Sequence, residues 1–261
     1  MDTIRNIRLT VQYDGSAFHG WQRQKGLRTV QETLERGIAK LTKEHVVVHG
    51  AGRTDAGVHA LGMQANFISA SPIPVDRWCV ALNSILPTAV RVSEASIVAS
   101  DWHARFTSHW TSYRYTIDRS TIPSPLRRNF TWQRYGEMDH ASLHASADLV
   151  VGNHNFKAFC ASGSKVMNHQ RTITRSSWVE EGDLLHYDIT GNGFLYNMVR
   201  LLVGGMTDIA SDKWSLEGMS QALQSGERKG TLFCAPPQGL CLMSIIYESD
   251  VRPLDNTLET S

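Results

Sequence analysis

Residues 50–60, Gly-Ala-Gly-Arg-Thr-Asp-Ala-Gly-Val-His-Ala, constrain this chain more than any other stretch. Gly50, Gly52 and Gly57 fall within eight positions, so the chain there turns sharply and lets a large ligand approach its backbone closely. The apolar run Val46-Val47-Val48 comes just before it and predicts a strand over 45–48 that leads into a loop. Loops held by rigid strands are where chemistry tends to sit. This one carries a carboxylate, Asp55, two residues after the planar cation of Arg53.

The flanking pattern is that of an α/β half. Ile7, Leu9, Val11 and Tyr13 alternate with Arg8, Thr10 and Gln12, which predicts a strand with one buried face. Thr29 followed by Glu32 reads as a capping box, and Val30, Leu34, Ile38 and Leu41 then share one face of a helix ending near Glu44. Beyond the loop, a strand is expected over 60–67, a helix over 74–85 with Trp78, Ala81, Leu82 and Ile85 as its apolar face, and a strand over 89–97. The order βαββαβ fits a ferredoxin-like half, with helices on one face of an antiparallel sheet.

The second half is less regular but uses the same kinds of element. A strand is expected over 110–118, a helix from Asp139 as cap to 150, and strands over 172–179 and 184–190. A long helix over 194–209 follows, with Leu195, Met198, Val199, Leu202 and Met206 as its apolar stripe. Leu216, Met219 and Leu223 suggest one more helix, and residues 240–247 the last strand. Residues 120–129, with Pro123 and Pro125, read as a connection, and 161–170 as a second loop. No strong internal repeat is visible, so any symmetry between halves is structural.

Composition narrows the class. At 41% hydrophobic and 20% charged residues over 261 positions, the chain reads as a soluble globular protein of one large or two closely packed domains. Residues 1–12 lack the apolar core of a signal peptide, and no run approaches the roughly 18 apolar residues of a membrane helix, so a cytoplasmic location with no membrane partner is expected. Cys79, Cys160, Cys234 and Cys241 form no Cys-x-x-Cys pair and read as thiols acting as small apolar residues. A net charge of +1 is low for a nucleic-acid binder, but Arg23, Lys25 and Arg28 cluster early, and Arg105, Arg114, Arg119, Arg127, Arg128 and Arg134 follow through the middle.

Six segments, in this order, resemble the tRNA pseudouridine synthase A family: Tyr13-Asp14-Gly15-Ser16-Ala17-Phe18-His19-Gly20-Trp21-Gln22, the Asp55 segment, His103-Ala104-Arg105-Phe106, Tyr113-Arg114-Tyr115, residues 193–200 (Gly-Phe-Leu-Tyr-Asn-Met-Val-Arg) and Gly239-Leu240. The resemblance covers about residues 7 to 247. It implies an α+β fold: two ferredoxin-like halves, 1–102 and 103–261, forming an extended, mixed, mostly antiparallel sheet with helices packed on it and a basic central cleft. It also implies isomerisation of uridine to pseudouridine at positions 38 to 40 of the tRNA anticodon stem-loop, by a homodimer in which one tRNA touches both subunits.

By the same resemblance Asp55 is the catalytic residue that attacks the uridine. Arg200 pairs with it and orients it, Tyr113 packs on the flipped uracil, and Arg53 enters the RNA to support the flipped state. Physically, the nucleophile has to be ionised, and burial alone raises a carboxyl pKa, so a nearby cation is needed. Asn197, Arg200 and Gly204 share a helical face away from the apolar stripe, which lets Arg200 face a cleft. A uridine stacked in a stem is out of reach of any carboxylate, so the nucleotide has to be extruded. Asp14, His19, Trp21 and Gln22 are assigned to loop structure and RNA contact.

Other readings fit less well. Gly191-x-Gly193 and Gly50-x-Gly52 begin like a dinucleotide fingerprint, but its third glycine would fall at Tyr196 or at Asp55. The histidines and cysteines show no metal-ligand spacing, so no metal is expected, and isomerisation needs no cofactor. A binding-only RNA protein or RNA chaperone would not need Asp55, Arg53, Tyr113 and Arg200 together, and a synthase acting on another RNA is the remaining alternative.

Overall fold

The computed structural model describes residues 4–250, apart from 108, 164, 165 and 229. Strand β1 (Arg5–Tyr13) forms as its alternation requires, with Ile7, Leu9 and Val11 fully buried. Helix α1 (Val30–Thr42) buries Val30, Leu34 and Ile38 at helical spacing. The expected capping box does not close. Thr29 is the N-cap residue, but its buried Oγ1 makes no hydrogen bond, and Glu32 turns outward to Arg36, 2.7 Å away.

The expected strand over 45–48 is absent, because side chains of α1 satisfy that backbone instead. Val48 N–H donates to Glu35 Oε1 at 3.1 Å, and Val48 O accepts from Gln31 Nε2 at 3.0 Å. From this stretch only the next two residues, β2 (His49–Gly50), pair with β3 (His59–Ser69), at Asn66 and Ala65. The helix expected over 74–85 divides into a 3₁₀ turn, Val75–Arg77, and α2 (Trp78–Asn83), which buries Trp78 and Leu82. Strand β4 (Val90–Val98) completes this half.

In the second half, β5 (His109–Asp118) and a two-residue β6 (Trp132–Gln133) flank the 120–129 connection, which holds no helix or strand. Asp139 caps α3 (His140–Asp148) by accepting from Ser142 N–H at 2.9 Å. Strand β7 (Gly152–Asn155), like β6, had no clear sequence signal. Strands β8 (Gln170–Glu181) and β9 (Leu184–Gly191) form a hairpin. Residues 164 and 165 of the expected 161–170 loop lie outside the described residues, and Gln170 already opens β8. Helix α4 (Met198–Ile209) starts four residues later than its apolar pattern suggests, because Asn197 is left-handed at φ 59°. Helix α5 (Leu216–Ser225) and β10 (Leu240–Tyr247) follow.

All ten strands join one sheet in the order β4-β1-β3-β10-β5-β9-β8-β7, with β2 beside β3 and β6 beside β5. Pairing is antiparallel except at β3–β10 and β5–β6, which is the mixed, mostly antiparallel α+β architecture expected. The β3–β10 contact joins the halves through two residue pairs, Cys241 with His59 and Leu242 with Ala60. Leu242 also pairs with Tyr113, so the end of the Asp55 loop lies one strand away from Tyr113. One core runs through both halves, from Leu9, Phe67 and Trp78 to Tyr115, Tyr187 and Leu202. Among the described residues, no helix is long and apolar enough to cross a membrane.

Candidate active site

The Asp55 loop is built directly on the loop that follows β1. Tyr13 OH and Thr54 Oγ1 are 2.8 Å apart in the interior, and Trp21 N–H donates to Thr54 O at 3.1 Å. Gly15 N–H donates to Nδ1 of the buried His59 at 3.0 Å. The two loops touch so closely that a Cβ on Gly15 would collide with the Val58 carbonyl, and one on Gly20, at φ 85°, would lie 2.6 Å from Thr54 O. Trp21 is buried beneath Gly50, and Gln22 bonds Gln31. The segment 13–22 is therefore the scaffold of the Asp55 loop, which accounts for the structural part of its expected role.

Asp55 stands at the surface end of this scaffold with its side chain 28% exposed. Burial pushes its carboxyl pKa up and Arg200 pulls it down, with burial the larger effect. The closest approach is 3.8 Å, from Arg200 Nη1 to Asp55 Oδ2. The guanidinium is fixed by other bonds: Nε donates to Ala235 O at 2.7 Å and Nη1 to Asn197 Oδ1 at 2.9 Å. The helical face shared by Asn197, Arg200 and Gly204 is partly covered. Residues 233–235 lie along it, with Ala235 N–H bonded to Arg200 O and the Phe233 carbonyl against Gly204.

Tyr113 and Tyr115 share a face of β5, as their spacing requires, but have different surroundings. Tyr115 is a core residue whose OH donates to Pro236 O at 2.8 Å. Tyr113 is 9% exposed and meets Phe194 edge-on at 5.1 Å. Burial, and then the negative charge of Asp55, push its phenol far above the ordinary range, so it stays protonated. The sequence places Phe194 in a helix and a motif, Tyr13 in a strand and a motif, and His59 in a motif, without showing what any of them touches. Their contacts depend on chain segments far apart in sequence.

Arg53 is exposed, and among the described residues it makes no hydrogen bond or ion pair. Many of the other arginines are already paired. Arg23 bonds Glu35, Arg114 binds Asp188 through two nitrogens, Arg119 bonds Glu180, and Arg127 lies 3.4 Å from Asp118. The run of cations in the middle of the chain is thus largely structural, which leaves Arg53 as a free cation two residues from Asp55. Among the described residues, no group of three or more His, Cys, Asp or Glu is placed to hold a metal ion.

The site therefore brings together a partly exposed carboxylate, a fixed cation, a protonated phenol beside an aromatic edge and a free arginine. That set suits nucleophilic attack on a flat, polar ring held against Tyr113. A family model described as tRNA pseudouridine synthase matches residues 9–107 and 146–248. The tRNA pseudouridine synthase A of Acetivibrio thermocellus is 43% identical over 244 residues, covering 94% of this chain and 100% of that protein. That of Citrifermentans bemidjiense is 42% identical, covering 94% and 98%. The tRNA pseudouridine synthase A 2 of Clostridium perfringens is 39% identical, covering 94% and 100%. This chain belongs to the tRNA pseudouridine synthase A family.

Proposed function

We propose that this protein converts uridine to pseudouridine at one or more of positions 38, 39 and 40 of the tRNA anticodon stem-loop, with Asp55 as nucleophile. The observation that carries this reading is the meeting of Asp55, Arg200 and Tyr113 from a loop, a helix and a strand, with Arg200 Nη1 3.8 Å from the carboxylate. Asp55 attacks the uridine, the C1′–N1 bond breaks, the base turns and a C1′–C5 bond forms. The C5 hydrogen leaves as a proton and N1 gains one, so no co-reactant is consumed.

Arg200 keeps Asp55 ionised against the pull of burial. Tyr113 packs on the extruded uracil, and Arg53 occupies the space left in the RNA or binds its phosphate. The protein works in the cytoplasm as a homodimer in which one tRNA touches both subunits, and its halves divide at 102/103.

Pseudouridine mapping of unmodified tRNA transcripts, incubated with wild-type protein and with Asp55→Asn without added cofactor, tests this. Signal at positions 38 to 40 that disappears in the variant is the expected result. No signal on any tRNA would overturn it in favour of another RNA or of binding alone.

A further inference from the structure

His49 and the segment His103-Ala104-Arg105-Phe106 build a feature that the reaction above does not use. The His103 ring meets both others, with 4.7 Å between the centroids of His49 and His103 and 4.4 Å between those of His103 and Phe106. Phe106 is 76% exposed, and the Arg105 guanidinium lies 5.8 Å from its ring centre. A single exposed phenylalanine needs no explanation by itself. This one is held in place.

Ala104, between the rings, is fully buried and tied by both backbone groups: its N–H donates to Asn66 Oδ1 at 3.0 Å, and its carbonyl accepts from Tyr247 OH at 2.7 Å. Asn66 in turn donates to Asn6, which donates to the carbonyls of Ala99 and Trp102. His103 Nδ1 accepts from Arg105 N–H, and the His103 carbonyl accepts from the N–H groups of Phe106 and Thr107. The rings thus project from a buried polar network.

Arg105 supplies a positive charge beside the rings. Burial, and then the neighbouring His49 and Arg105, hold the His103 imidazole below its ordinary pKa. The rings are tilted to one another, by 43° at His49–His103 and 33° at His103–Phe106, so it is the exposed face of Phe106, beside the Arg105 cation, that suits a nucleobase with its phosphate. The position fits as well. His49 precedes Asp55 by six residues and Arg53 by four, so even fully extended chain puts the His49 Cα within about 22 Å of the Asp55 Cα.

We propose that Phe106, with Arg105 and supported by the two histidines, is a stacking platform for an unpaired base of the substrate RNA. The proposal rests on the RNA-substrate reading above.

The test uses full-length protein and an unmodified tRNA transcript, comparing wild type with Phe106→Leu, Phe106→Trp and Arg105→Gln. Dissociation constants, single-turnover rates at saturating RNA and sedimentation velocity are measured for each. Phe106→Leu keeps an apolar side chain and removes the π face, so Kd rises about tenfold, with the loss falling on Kd rather than on the saturated rate. Phe106→Trp restores binding, Arg105→Gln weakens it, and the sedimentation coefficient stays that of wild type. Unchanged Kd in Phe106→Leu overturns the proposal, and so does an altered oligomeric size, which would assign the ring to a protein contact. If wild-type protein neither binds nor modifies tRNA, the RNA reading itself falls.

Discussion

Asp55 Oδ2 stands 3.8 Å from Arg200 Nη1, near enough for strong attraction and too far for a hydrogen bond. Arg200 spends its hydrogen bonds on Asn197 and Ala235, so the cation is fixed in place independently of the carboxylate. A carboxylate clamped by two guanidinium hydrogen bonds would have to break them before attacking. This looser pairing lowers the cost of its charge while leaving its oxygens free.

Asp55→Asn is expected to lower turnover by at least about a thousandfold, as loss of a nucleophile does, with tRNA binding retained. The same variant should be more stable at neutral pH. Folding raises the Asp55 pKa, so its favourable contribution is full below the unfolded value and lost as pH rises through the folded one. At pH 7.5 the charge therefore destabilises the fold. Asparagine has no such charge, so the variant melts above wild type, and the difference closes below about pH 4. Thermal melts of both proteins at the two pH values check this.

Arg200→Gln is expected to move the acid limb of the activity profile to higher pH. In the proposed reaction Asp55 acts ionised, so activity is expected to fall as pH falls through its pKa. Removing the cation leaves burial unopposed and raises that pKa further. A profile of kcat/KM against pH that keeps its wild-type acid limb would show that Arg200 does not tune the carboxylate.

Tyr113→Phe tests whether the phenol moves a proton or only packs. Among the described residues the Tyr113 hydroxyl makes no hydrogen bond, so the variant should fold like wild type. Its pKa lies far above the working range, so Tyr113 donates or stacks but does not act as phenolate, and wild-type activity shows no basic limb from it up to about pH 10. A fall in kcat with unchanged KM assigns the hydroxyl to chemistry, and unchanged kcat assigns the ring to packing.

Gly15→Ala is expected to destabilise the protein by about 1–3 kcal/mol, because the new methyl group meets the Val58 carbonyl and pushes the Asp55 loop off its scaffold. Gly52 lies in the same loop with nothing within 4 Å of a built Cβ, so Gly52→Ala should stay within about 0.5 kcal/mol of wild type. Denaturant melts of the pair measure the contrast.

Arg53→Ala leaves the fold unchanged, since the side chain is exposed and unpaired among the described residues. Activity on full-length tRNA should fall because extrusion of the base becomes harder. A substrate with a mismatched target uridine, which is cheaper to extrude, should recover part of the loss. Equal activity of variant and wild type on full-length tRNA would remove Arg53 from this role.

Much of the site and half of the fold were legible in the chain itself. The alternation of Ile7, Leu9 and Val11, the spacing of Val30, Leu34 and Ile38, and the Asp139 cap are local patterns with local causes, and each formed as read. The Asp55, Tyr113 and Arg200 segments were recognisable as motifs. Local reading failed where distant groups competed for the same backbone. Glu35 and Gln31 took the hydrogen bonds of Val48 that a strand would have used, and left-handed Asn197 delayed α4 despite an apolar pattern beginning at 194. The sequence by itself determined where Asp55, Tyr113 and Arg200 stand along the chain and many of the short elements that hold them. The tertiary structure alone decided that they meet: β10 lies parallel to β3 through Cys241 with His59 and pairs antiparallel with β5 through Leu242 with Tyr113. Those pairings join residues far apart in the chain, and their register is set by the packing of the shared core rather than by any local propensity.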